Sequence, residues 1–377
     1  CVDLRTMQNK LVVEHEDINS MVSDSTSHQL VFTIKSGSRP GGTWYYRPLM
    51  EKPLFINLQA LTGKIKVDTL PLYFNRNGEN IFFTLKDQLQ PTPDEELVSM
   101  RIWSYRDSLF QSEIKKTDPF YLFTYHIGTG KLFPVTNIDE ELASTVNGSY
   151  VLVKKKFKSN RFWEDTLCSE AYILNLQNGM KIKLPEKFSN YESGLFFSPD
   201  CRYVINFYTP DLMYYAYEIS SGRSINLSKQ IPAKVYDDVI DRIIPRSFGV
   251  AGWYDTDHVL IYDQYDIWKV NVSREEPAKN ITAGTGRRKK LIFSCVYEDR
   301  SGIVNTKPYM LLSAFNRENK NNGFWELKPQ REPVKYVMND YAYHIGRINS
   351  YGFEFPKGMR PIKAEKSNRY LIRRESA

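Results

Sequence analysis

The residues of this 377-residue chain that are equipped for chemistry are few and scattered. No Gly-x-Ser-x-Gly elbow occurs, so the signature of a serine hydrolase nucleophile is missing from the sequence as given. The five histidines are His15, His28, His126, His258 and His344. His126 and His258 fall inside strand–turn repeats, where they read as structural positions rather than bases. Cys168, Cys201 and Cys295 lie far apart and have no metal-ligand spacing. Each sits in or near a strand, so three buried thiols is the reading, with one disulfide left open. Asp255, Asp257, Asp263 and Asp266 have the residue type for calcium. Their spacing does not match an EF-hand loop, and capping of turns accounts for them more simply. No His/Asp/Glu cluster stands at metal or acid/base spacing. The sequence thus gives no catalytic residue, no metal site and no cofactor, and leaves substrate-binding residues unknown.

Binding features have equally plain structural readings. The runs Lys154-Lys-Lys-Phe-Lys158 and Arg287-Arg-Lys-Lys290 would suit an acidic ligand or nucleic acid. A solvated loop, or an edge strand protected by lysine, is the preferred reading. Tyr214, Tyr215 and Tyr217 have the chemistry to stack on a ligand, but their spacing fits packing between sheets better. Four Asn-x-Ser/Thr sequons stand at Asn147, Asn226, Asn271 and Asn280.

The elements that would position these residues are strands. One recurring pattern is a turn followed by a strand. It occurs as Ser27–Ile34, Phe74–Phe83, Val146–Val153, Phe197–Ile205, Tyr254–Tyr262, Asn305–Leu312 and Lys366–Ile372. Asn-Gly and Pro-Asp suit such turns, because Asn and Gly tolerate positive φ and Pro fixes φ near −65°. The second pattern is a hairpin with a polar turn: Leu54–Val67, Tyr121–Phe133, Tyr172–Ile182, Tyr217–Ile225, Ile267–Glu276 and Phe324–Val334. Its turn glycines Gly63, Gly130, Gly179 and Gly222 are 67, 49 and 43 residues apart. A period near fifty without helical periodicity predicts an all-β propeller of four-stranded blades.

Strict alternation of the two patterns gives six blades, at 20–70, 71–136, 137–187, 188–230, 245–283 and 290–338. A seventh begins at about 339, so the full ring would have seven or eight. Residues 20–377 are therefore expected to form the propeller, cut off in its last blade, with 1–19 as an N-terminal segment. Such a stop suggests a missing downstream part, the favoured reading, or closure by the strand around Lys10-Leu-Val-Val-Glu14. Two insertions interrupt the pattern, at 86–118 and 229–248, and long excursions from a repeat scaffold are where function concentrates.

Composition agrees with a soluble globular chain, 41% hydrophobic and 25% charged. Aromatics reach 14%, with 25 Tyr and 21 Phe, which favours pleated surfaces. A formal charge of +7 is modest for this length and does not imply nucleic acid. No apolar run is long enough to span a bilayer. No secretory signal is present; Cys1 reads as a boundary of the sequence or as a lipidated cysteine.

Phe197-Ser-Pro-Asp-Cys-Arg-Tyr-Val204 resembles the FSPDG+YV blade motif of dipeptidyl peptidase IV and TolB-type propellers. The run Phe248–Val270, together with Asn280-Ile-Thr-Ala-Gly-Thr-Gly-Arg287, is similar to the propeller of large secreted prolyl oligopeptidase-family (S9) serine peptidases. Arg101–Asp107 and Leu311–Asn316 fit the same group, and the resemblance extends from about 27 to 377. The residues singled out as structural blade motifs are Ser198, Pro199, Asp200, Gly222, Gly252, Trp253, Asp263, Asp266 and Trp268.

The resemblance implies a non-catalytic propeller domain that gates the access of short peptides to a missing C-terminal α/β-hydrolase domain. It implies a peptide substrate, no nucleic acid, no transmembrane segment and an extracytoplasmic location. The chain departs from the dipeptidyl peptidase pattern. The doublets Glu95-Glu96 and Glu140-Glu141, and Trp163-Glu164-Asp165, do not match its paired glutamates, so dipeptidyl specificity is not supported. The rival reading is a free-standing TolB-like propeller that binds a protein or glycan.

Overall fold

The computed structural model describes residues 2–3, 8–9, 11–14, 18–24, 28–34, 42–48, 50–56, 73–75, 77–86, 104, 120–145, 148–156, 170–188, 195–238, 245–296, 302–304, 306–339, 341–344, 361–364 and 367–376. The chain divides into two compact units, Cys1–Leu184 and Pro185–Ala377. Each holds three four-stranded antiparallel sheets whose strand order follows chain order.

In the first unit the sheets comprise Ile18–Ser23, Leu30–Ile34, Gly42–Tyr46 and Leu54–Ile56; then Tyr73–Phe74, Asn80–Lys86, Phe120–His126 and Lys131–Pro134; then Glu140–Thr145, Tyr150–Lys155, Ala171–Asn175 and Lys181–Lys183. In the second they comprise Phe196–Phe197, Tyr203–Tyr208, Met213–Glu218 and Ser224–Asn226; then Val250–Trp253, His258–Tyr262, Ile267–Asn271 and Lys279–Asn280; then Leu291–Cys295, Met310–Asn316, Asn322–Leu327 and Val334–Asn339. These are blades of the β-propeller type.

The blades pack face to face, and alternation along single strands shows how. In Asn80–Lys86, Ile81 and Phe83 join a core with Val31, Tyr45 and Ile56 of the first sheet. Phe82, between them, joins Val151, Val153 and Leu174 of the third. In the fifth sheet Val259 and Ile261 face the fourth, against Tyr203, Ile205 and Tyr214. Leu260 and Tyr262 face the sixth, against Phe293, Leu312 and Trp325. Because successive side chains point to opposite faces and both faces are covered, these strands read as unbroken apolar runs. Each such buried side chain contributes about 1.5–3 kcal/mol of transfer free energy. Tyr214, Tyr215 and Tyr217 are all buried, with Tyr214 edge-on to Phe207 at 5.0 Å.

Several expectations need correcting. Among the described residues the last hairpin of the first sheet is Gly42–Tyr46 with Leu54–Ile56, where Trp44 and Tyr45 pair with Phe55 and Leu54; the expected hairpin Leu54–Val67 lies, beyond Ile56, outside the described residues. The aromatic run Trp44-Tyr45-Tyr46 supplies the third strand, which the turn-glycine pattern had passed over. Residues 57–72, including Gly63, lie outside the described residues, as do Cys1, Cys168, Glu95-Glu96, Trp163-Glu164-Asp165 and nearly all of the 86–118 insertion. Cys201 and Cys295 are half-buried rather than buried, and Cys295 Sγ lies 3.5 Å from Met310 Sδ. Arg287-Arg-Lys-Lys290 is neither loop nor edge strand: Thr285–Lys289 is a short α-helix. Leu11–Glu14 carries no strand, and Val12 and Val13 pack against Phe32, Ile34 and Tyr46 of the first sheet. Short pairs lie beyond the sixth sheet, Tyr341–Tyr343 with Arg374–Ser376 and Ile362–Lys363 with Tyr370–Leu371. Among the described residues, no helix is long and apolar enough to cross a membrane.

Candidate functional site

The densest polar arrangement among the described residues gathers at one end of the fifth sheet. Asp263-Gln-Tyr-Asp266 turns the chain between His258–Tyr262 and Ile267–Asn271. Asp suits this position because its carboxylate accepts the backbone N–H groups of its own turn. Asp263 Oδ1 accepts from the amides of Tyr265 and Asp266, both at 2.7 Å. Its Oδ2 accepts from Trp268 Nε1 at 2.9 Å and Arg287 Nη2 at 3.0 Å. The Asp263 side chain is 1% exposed, so its charge is sheltered from water and held by these four donors.

Asp266 is the second buried carboxylate. Thr282 Oγ1 donates to its Oδ1 at 2.7 Å, and the Gly286 amide does so at 3.0 Å. The Arg287 amide reaches its Oδ2 at 3.2 Å. Thr282 Oγ1 in turn accepts the Ile267 amide at 3.1 Å, locking the 279–287 segment to the sheet. Arg287 thus ties the two buried carboxylates together, its guanidinium on Asp263 and its backbone amide on Asp266, an arrangement that fixes geometry more than it stores stability. Glycine is required at 286. A Cβ there would lie 2.4 Å from the Tyr265 carbonyl oxygen and 2.8 Å from that of Leu291.

The residues singled out in the sequence fall in two places. Asp263, Asp266 and Trp268 meet in this network. Gly252 and Trp253 lie in the same sheet at a register shift between Val250 and Gly252. Gly252 has φ 128°, and the Trp253 amide donates to the Gly302 carbonyl at 2.8 Å. Ser198, Pro199 and Asp200 form the first turn of the fourth sheet. There Ser198 Oγ donates to Asp200 Oδ1 at 2.6 Å and accepts the Tyr203 amide at 3.0 Å. Cys201 follows in the left-handed region at φ 58°, where the resembled motif carries glycine. Gly222 has φ 72° in the hairpin between Met213–Glu218 and Ser224–Asn226. Sequence reasoning passed over Thr282, Gly286 and Arg287 as members of the network. The quoted run Asn280–Arg287 contains all three, but their roles depend on a long-range approach to Asp266.

Beside the network lies a cavity of about 570 Å³. Three segments border it: the link from the fourth sheet with Tyr236 and Phe248, the turn with Gln264 and Asp266, and the link to the sixth sheet with Arg287 and Arg288. Trp268 and Asn280 complete the wall. Its cations are already paired. Arg287 is tied to Asp263, Arg288 to Glu332 at 3.1 Å, and Lys234 to Asp238 at 2.5 Å. No serine, cysteine or histidine stands among the described residues lining it. Among the described residues no group of three or more His, Cys, Asp or Glu side chains is placed to hold a metal ion. His258 binds Asp255 at 2.7 Å, and Asp255 also caps the Asp257 amide at 3.0 Å.

No family model matches the sequence, and no curated protein matches it. Among solved structures, TolB from Acinetobacter baumannii is 10% identical, with a TM-score of 0.30 over 82% of this chain and 65% of that one. Porphyromonas gingivalis dipeptidyl peptidase 4 is 9% identical, with a TM-score of 0.44 over 90% of this chain and 48% of that one. The β-propeller domain of the trilobed protease from Pyrococcus furiosus is 10% identical, with a TM-score of 0.34 over 89% of this chain and 85% of that one. This chain spans less than two thirds of the first two. Similarities this distant assign no activity, and the fold stands on the sheets themselves.

Proposed function

We propose that this chain is the non-catalytic propeller domain of an extracytoplasmic serine peptidase of the prolyl oligopeptidase type. Its role is to gate the access of short peptides to a hydrolase domain that follows it. The observation that carries the reading is the fifth blade. The 248–287 run that resembles this family is the run whose Trp268, Thr282 and Arg287 lock onto the buried carboxylates of Asp263 and Asp266. The resemblance therefore lies in residues that dictate the blade's geometry. Gating needs a rigid wall of blades, and side chains buried on both faces of each sheet supply rigidity.

The second reading, a propeller that binds a partner without any hydrolase domain, is favoured by the cavity beside Trp268 and Arg287. One experiment separates the two. The intact mass of the native gene product is measured, and the product is assayed on proline-containing chromogenic dipeptides and short peptides. A larger product that cleaves them, and stops when its elbow serine is changed to alanine, is the expected result. A native product ending near Ala377 that cleaves nothing overturns the gating role and leaves the binding propeller.

A further inference from the structure

A second cavity, of about 440 Å³, lies between the fifth and sixth sheets. Its wall carries Lys279, on the outermost strand of the fifth sheet, and Lys328 and Arg331, on the last turn of the sixth. All three are exposed, and none makes an ion pair among the described residues. The other charged groups lining the cavity are already engaged. Lys269 lies 3.6 Å from Asp255 and over the Tyr254 ring at 4.0 Å. Glu332, the cavity's acid, is paired with Arg288 at 3.1 Å. The floor is apolar, formed by Ile281, Met310 and Leu327. Three unpaired cations around one concave, apolar-floored space raise a positive potential that a carboxylate-bearing ligand would relieve.

We infer that this groove binds an acidic peptide segment, with carboxylates at the Lys279, Lys328 and Arg331 rim and an apolar side chain on the Met310–Leu327 floor. The shape selects this class. A bilayer surface is broad and cannot enter a cavity of this size. A bare phosphate would leave the apolar floor uncovered. A single-stranded nucleic acid gains affinity by stacking its bases on open aromatic rings, and the Tyr254 ring here is covered by Lys269. This goes beyond the gating role and holds whether or not a hydrolase domain follows the chain.

The test uses the 377-residue chain and the fluorescein-labelled peptide Gly-Asp-Glu-Leu-Glu-Asp-Gly, followed by fluorescence anisotropy. Binding is expected, and raising the salt from about 0.05 M to 0.3 M should weaken it several-fold, because rim charges are screened. Changing both Lys279→Glu and Lys328→Glu should weaken it by about tenfold or more, each exposed charge accounting for up to about fivefold. Lys229→Glu, an exposed charge change elsewhere in the same unit, should leave it unchanged, with circular dichroism confirming that every variant is folded. A peptide with lysine at the four acidic positions should not bind. The inference is overturned if the acidic peptide fails to bind at about 1 mM, a concentration that would detect even weak association. It is equally overturned if the double change leaves binding intact, or if phosphatidylserine vesicles bind through these lysines while the peptide does not.

Discussion

Trp268 and Arg287 donate to the same oxygen of Asp263, at 2.9 and 3.0 Å, although nineteen residues separate them in the chain. One buried carboxylate thereby fixes the turn of the fifth sheet, the indole of its third strand and the helix leading to the sixth. Asp263→Ala should cost about 1–3 kcal/mol or more, the cost of leaving the Tyr265 and Asp266 amides and the Trp268 indole N–H without their buried acceptor, while the exposed Arg287 guanidinium returns to water. Trp268→Phe, which keeps most of the ring, should cost about 1–3 kcal/mol. Urea denaturation midpoints of the two variants and the double variant would check this; the pair should be less than additive.

Gly286 offers a purely steric test. An alanine methyl cannot fit 2.4 Å from the Tyr265 carbonyl oxygen without moving the helix off Asp266. Gly286→Ala should destabilise by about 1–3 kcal/mol or more, as over-packed sites do. Thermal melting would show it, and Gly222→Ala, where a Cβ would lie 3.7 Å from its nearest neighbour, the Tyr217 hydroxyl, should cost only the strain of its left-handed backbone.

Cys201 occupies a left-handed backbone position with a side chain that disfavours it. Cys201→Gly should therefore raise stability by roughly 0.5–1 kcal/mol, the relieved backbone strain outweighing the added freedom of the unfolded chain. Burial, with the Asp200 carboxylate beside it, pushes the Cys201 thiol up to about 11. Alkylation by iodoacetamide at pH 8, followed by peptide mass mapping, should find this cysteine almost unmodified in the folded protein.

Glu170 is expected to set part of the acid response of the third sheet. Hydrogen bonds from Lys155, Lys183 and Tyr172 hold its carboxyl down to about 2, against an ordinary value of 4.5. Because the folded value is depressed, its contribution is present above pH 4.5 and is lost as the pH falls toward 2. The melting temperature of Glu170→Gln should lie below that of the unchanged protein at pH 6, and the gap should close by about pH 2. A gap that persists unchanged at acid pH would remove Glu170 from the ionic arrangement.

Much of the fold was legible because turns and strands announce themselves locally. Ser198-Pro-Asp and the glycines at 130, 179 and 222 mark hairpins by backbone chemistry alone. Apolar runs such as His258–Tyr262 mark strands buried on both faces. The first sheet was harder, since Trp44-Tyr45-Tyr46 lacks a glycine turn of that pattern beside it. Arg287 was hidden for a different reason. Among four consecutive basic residues it reads as solvated, and only its approach to Asp263, twenty-four positions away, shows it as a structural cation. The cationic groove was equally invisible, because Lys279 and Lys328 are brought together by two adjacent sheets rather than by sequence spacing.

Strand order within every four-stranded sheet is simply chain order. Each sheet can therefore complete its own hydrogen bonding from a contiguous stretch of polypeptide as that stretch leaves the ribosome, before the next is made. What it cannot do alone is cover its faces. A newly emerged sheet with Val259 and Ile261 already shielded still exposes Leu260 and Tyr262 until its successor arrives. Synthesis should then proceed with a single sticky surface that is handed forward from sheet to sheet, so a pause in translation between the fifth and sixth would be the moment at which misassociation is most costly.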